Sequence, residues 1–149
     1  MNNNFEKTAT KIAAIATLAG SICMLGGAAI LGASGADVEM ALDTNNIPGY
    51  LATAQAAKTL LILNLSLWIL GVVLLGAGAT MMTYLSRENQ VVTLLARYNY
   101  WVGIPIVVTS YVAWLVVLTR LTTYEPASVS IIAETIAWFA TRADWLATV

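Results

Sequence analysis

TLLILNLSLWILGVVLLGAGATMMTY, residues 59–84, runs without one Asp, Glu, Lys, Arg or His. A helix needs about 20 apolar residues to cross roughly 30 Å of hydrocarbon, and a charge at its centre costs about 2.5–3.5 kcal/mol on insertion scales. Two further stretches, 12–33 and 101–119, are equally free of charge. Together they predict an all-α integral membrane protein with three transmembrane helices.

Little material remains for anything else. The chain has 149 residues, of which 59% are hydrophobic, with a mean hydropathy of +0.77. That composition is one membrane domain over 1–149, with an outer loop at 34–58, an inner loop at 85–100 and a tail at 128–149. Seven basic and eight acidic residues nearly cancel and are scattered. No stretch forms a basic patch, so nucleic acid is not an expected partner.

The N-terminal segment resembles a signal peptide, because Lys7 and Lys11 precede an apolar region ending in small residues at Ala33-Ser34-Gly35-Ala36. It reads here as a signal anchor and first span. Arg87 and Arg97 lie between the second and third spans, while Asp37, Glu39 and Asp43 follow the first. The positive-inside rule then puts the N-terminus in the cytoplasm and, with three spans, the C-terminus on the opposite face. Lys58 and Arg120 run against the rule, but both stand at helix ends, where long stems reach the headgroups.

Tyr98, Tyr100 and Trp101 gather at one edge of the third span and Tyr124 lies beyond the other, as amphipathic rings at an interface do. Trp68, Tyr111 and Trp114 fall deeper and read as packing groups against helices, lipid tails or a pigment. Asn45-Asn46 before Pro48 is a helix start signal. A second helix beginning there and running unbroken to Tyr84 would project from the membrane, with Tyr50, Gln55 and Lys58 offering a docking surface. Pro105 after Gly103 predicts a kink at the start of the third span, preceded by a short interfacial helix.

In the tail, Val129, Ile132, Ile136, Phe139, Ala143 and Leu146 recur at helical spacing, and Glu134, Arg142 and Asp144 make the segment too polar to be read as a span. It is expected to be an amphipathic helix lying on the outer membrane surface or on a partner, with Trp138 and Trp145 as interfacial residues.

Chemistry is scarce. There is no histidine, and the single cysteine, Cys23, sits inside a span. A haem, a zinc site and the usual general base thus lack their commonest ligand or group, and no phosphate loop or nucleophile and base set is present. No catalysis, intrinsic cofactor or metal site is expected; Met24, Met81 and Met82 read as filler. Asn64 is the one strongly polar residue well inside a span. It is read first as an interhelical hydrogen-bonding group, and otherwise as a pore-lining group or a ligand to a pigment or lipid headgroup. The pattern Asn64-Leu65-Ser66 matches a glycosylation acceptor, but a site within a span is out of a glycosyl carrier's reach.

Small residues are plentiful instead. Ala16, Gly20, Cys23 and Gly27 share one side of the first helix, and Gly71, Gly76 and Gly78 thin the second. Such faces let backbones approach where lipid removes the hydrophobic drive between helices. The resulting expectation is a non-catalytic accessory subunit of a larger membrane complex, respiratory or photosynthetic, that acts through helix packing and contact with lipid or pigment. A homo-oligomeric channel or small transporter, and a membrane scaffold of an enveloped particle, are the alternatives.

Overall fold

A computed structural model describes residues 3–85 and 90–148. Its elements in chain order are α1 (Asn3–Ser34), α2 (Val38–Asp43), α3 (Ile47–Ala56), α4 (Lys58–Leu85), α5 (Gln90–Tyr98), a π turn (Asn99–Gly103), α6 (Ile104–Arg120), a 3-10 turn (Leu121–Thr123) and α7 (Pro126–Thr148). No strand occurs among the described residues. Three helical segments, Phe5–Ser34, Lys58–Thr83 and Thr93–Arg120, are long and apolar enough to cross a membrane.

The region 34–58, expected as a loop, is mostly helical. Gly35 ends α1 in the left-handed region at φ 65°, a conformation that costs glycine nothing. The Asp37 carboxylate then accepts from Met40 N at 3.0 Å and caps α2. Asn46 does the same for α3, accepting from Gly49 N at 3.1 Å, with Pro48 in the first turn.

The second helix is not unbroken from Pro48. A single turn residue, Ala57, separates α3 from α4, although Ala57 N still reaches Thr53 O and Leu61 N reaches Ala57 O. The interruption lets α3 pack on α7 and the 3-10 turn. Ile47, Tyr50, Leu51 and Ala54 are buried there, so Tyr50 belongs to the core rather than to an external docking surface. At the kink, Lys58 Nζ donates to Thr119 O at 3.2 Å. It turns toward the last carbonyls of α6, which are short of helical partners and carry the negative end of the dipole.

Helices α1 and α4 form an antiparallel hairpin, the most extensive contact between elements. A Cβ added at Gly20 would stand 2.8 Å from Leu75 N and 2.9 Å from Gly71 O, so the two backbones meet there directly. Gly78 faces Ala13 and Thr17, and Gly27 faces Asn64 and Trp68. Large side chains go the other way: Ile12, Ile15, Leu18, Ile22 and Leu25 form an exposed stripe along α1, with Leu25 at 72%. Small residues inside and branched residues outside is the arrangement expected of a helix surrounded by lipid.

Pro105 is accommodated by the π turn just before it, where the helical hydrogen-bond register widens near a residue that lacks an N–H. As a result α5 continues into α6 without a non-helical residue. Val91, Leu94, Leu95 and Tyr98 make an exposed apolar stripe on α5.

The tail differs most from expectation. Helix α7 runs back along α6, touching the turns at either end of it, and packs also on α3 and α2. Nor is its packed face the stripe of large residues. Ala133 and Ala137 are fully buried with Val129 and Ala140, whereas Ile132 and Phe139 are each 54% exposed. The side chains of Tyr84, Ala143, Trp145 and Leu146, and residue Arg87, lie outside those described.

Replacing Gly20 by Ile must push α1 from α4, because two of the three nearest atoms, Leu75 N and Gly71 O, are backbone and cannot rotate away. We expect a loss of about 1–3 kcal/mol, read as a lower unfolding midpoint in detergent. Gly32→Ala, where a Cβ meets nothing within 4 Å, is expected to leave the midpoint unchanged or raise it.

Candidate functional site: an aromatic cleft between α1 and α7

The α1–α4 hairpin meets the α6–α7 pair mainly through α4 and α6. Above that seam lies a cavity of about 510 Å³, within the ordinary size range of small-molecule sites. Its walls are small residues, Ala28 and Gly32 on α1 and Ala137 and Ala140 on α7; its floor is Leu61, Asn64, Leu65 and Trp68 of α4 with Tyr111, Trp114 and Leu118 of α6. Gly35, Ala36, Asp37, Val38 and Glu39 close one end, joined by Tyr50.

Aromatic pairs order the floor. Trp68 and Tyr111 have ring centroids 5.5 Å apart, and Tyr50 and Trp114 are also 5.5 Å apart, within the range of favourable ring contacts. Trp114 Nε1 donates to Tyr50 Oη at 3.1 Å, tying α6 to α3. Burial pushes the Tyr50 phenol well above its ordinary pKa; the bond from Trp114 opposes that shift and the charge of Asp37 adds to it. The phenol therefore stays neutral at physiological pH and this bond does not titrate.

Asn64 is buried and its Nδ2 donates to Gly27 O at 2.7 Å. The carbonyl is reachable because residue 27 has no side chain. Trp68 lies over the same glycine, and its Nε1 is buried with no hydrogen-bond partner among the described residues. Ser66, the other polar group of this helix, donates to Ile62 O one turn back.

The remaining sequence-singled residues fall into separate places. Gly20, Gly27, Gly71 and Gly78 lie in the α1–α4 contact, while Gly76 faces Ile104 and Tyr100 of the α6 side. Ala16 and Cys23 are half-buried, Cys23 as a free thiol. Tyr98 and Trp101 are exposed near one end of the bundle, Tyr100 makes an edge contact with Trp101 at 5.6 Å, and Tyr124 is exposed at the other end. Trp138 stands instead beside the cleft, with the Arg142 guanidinium 4.8 Å from its ring centre. No group of three or more His, Cys, Asp or Glu able to hold a metal occurs among the described residues.

Sequence reasoning missed the pairing of Tyr50 with Trp114 and the approach of α2 to α7, both of which depend on long-range packing. Comparison with protein-family models, with curated proteins and with solved structures gives no match.

Two substitutions separate the bonds at this site. Tyr50→Phe keeps the ring but strands the Trp114 donor, and we expect a loss of about 1–3 kcal/mol. Asn64→Leu removes one bond between membrane helices, and we expect a loss of about 0.6–1.7 kcal/mol. Unfolding midpoints in one detergent check both; a neutral Tyr50→Phe would show that the bond contributes nothing.

Proposed function

We propose that this chain is a non-catalytic subunit of a larger membrane complex, respiratory or photosynthetic in type, acting by helix packing and contact with lipid. The observation that carries the reading is the state of α1. This helix of 32 residues packs chiefly on one neighbour, α4, and leaves its whole opposite stripe of Ile and Leu side chains for lipid or another helix. The interior polar groups support the same reading, since Asn64 and Ser66 are already bonded within the chain. A channel lined by these two residues would have to break those bonds.

The topology belongs to the same proposal. Lys7 and Lys11 favour a cytoplasmic N-terminus. Helix α7 has 23 residues, hence a length of roughly 34 Å at 1.5 Å per residue, and it lies antiparallel along a candidate span with small residues inward and large ones outward. Its charges Glu134, Arg142 and Asp144 nevertheless leave it outside the three candidate spans, and α2, which follows the outer end of α1, meets it at Trp138, Thr141 and Arg142; we therefore take the C-terminus to stay on the face opposite the N-terminus.

Sidedness is measurable with a protease-cleavable tag at either end in sealed vesicles. We expect the two tags to be cut from opposite sides; cutting of both from the same side would make α7 a fourth crossing. Partnership is measurable by native mass spectrometry after gentle extraction from the native membrane. We expect larger subunits at fixed stoichiometry, and their loss on Leu18→Trp with Leu25→Trp. Recovery only as a monomer or as a ring of identical copies would end the subunit reading.

A further inference from the structure

We propose that the cleft between α1 and α7 is a site for one zwitterionic phospholipid with an amine headgroup, its acyl chain on the aromatic floor and its ammonium among the carboxylates of α2. This deepens the lipid-contact part of the preceding reading and rests on it, but needs no partner subunit, because every wall of the site comes from this chain.

The distribution of polarity within the cleft is the first argument. Leu61, Leu65, Trp68, Tyr111, Trp114 and Leu118 offer a continuous apolar surface, and the small walls of α1 and α7 leave room above it. Charged groups are confined to one end, where Asp37 and Glu39 stand. A ligand that fits such a cleft is apolar along its body and polar at one tip. A free fatty acid would put its carboxylate against two others.

Continuity with a second hollow gives the headgroup its character. A smaller cavity of about 250 Å³ shares Glu39 and Thr141 with the cleft and adds Leu42, Asp43, Trp138 and Arg142. The polar end therefore holds three carboxylates, Asp37, Glu39 and Asp43, against the single guanidinium of Arg142. An ammonium meets the carboxylates, and the phosphate of the same headgroup meets Arg142. An anionic headgroup without an amine would gain only the Arg142 contact and face the three acids.

The test uses the full chain in neutral detergent, equilibrated with phosphatidylethanolamine and phosphatidylglycerol of matched acyl chains and read by native mass spectrometry. The expected result is one phosphatidylethanolamine per chain, preferred over phosphatidylglycerol by about tenfold, as a few partly exposed charge contacts supply. Gly32→Trp, at a position where a Cβ meets nothing within 4 Å, fills the mouth of the cleft and should abolish this retention while helical content and unfolding midpoint are kept. The double change Glu39→Gln and Asp43→Asn should keep lipid retention but erase the headgroup preference.

Equal retention of the two lipids by the unsubstituted chain would overturn the headgroup assignment. Retention by Gly32→Trp equal to that of the unsubstituted chain would overturn the cleft as the site. In either case unselective binding of many lipids leaves the membrane reading intact, whereas a chain that stays soluble without detergent and retains none would end both.

Discussion

The close approach of α1 and α4 at Gly20 and Gly71 is the constraint on which the rest of the structure depends. In the membrane setting of the proposed function, contact between the two helices brings no hydrophobic gain, because lipid tails are as apolar as leucine. Association must come from dispersion over a tight fit and from hydrogen bonds. Both require backbones to come near one another, and a Cβ at Gly20 within 2.9 Å of backbone atoms on the facing helix shows how little space is left.

From that contact the other features follow in order along the hairpin. Two helical turns further on, the same proximity brings the Gly27 carbonyl within reach of Asn64, and the missing side chain at residue 27 lets the Cδ1–Nε1 edge of Trp68 come up against α1. Trp68 in turn meets Tyr111, which fixes where α6 sits on α4. Because α6 rests on α4 and not on α1, the α6–α7 pair is offset from the hairpin, and the offset opens the cleft. The cavity is thus a consequence of two tight pairs joined by a looser seam.

How far the sequence foretold this depends on which physical term decides each element. Length without charge decides the spans, and residues 12–33, 59–84 and 101–119 all fall within long helices. The glycines on one side of α1 were legible for the same reason, since small residues at helical spacing have few other uses in a span. The break at Ala57 was not legible: alanine is the best helix former, and only the packing of Tyr50 and Leu51 against α6 and α7 explains why the chain turns there. Asn64 was legible as a bonding group, but its acceptor was not, since any backbone carbonyl would have fitted the sequence.

Helix α7 departs from the usual reading of an amphipathic pattern, and the membrane setting of the proposed function accounts for the departure. In water the large residues of a stripe go inward, so Ile132, Ile136 and Phe139 pointed to the face expected to be covered. Where lipid is the solvent, burial of large apolar groups brings no transfer gain, and the closest fit decides instead. The alanines at 133, 137 and 140 take the interface while Ile132 and Phe139 turn outward, as the large residues do on α1, and Ile136 stays partly buried against the core. The same sequence stripe therefore predicts opposite faces depending on the surrounding medium, and the face that α7 presents to α6 is an argument about its medium as much as about its partner.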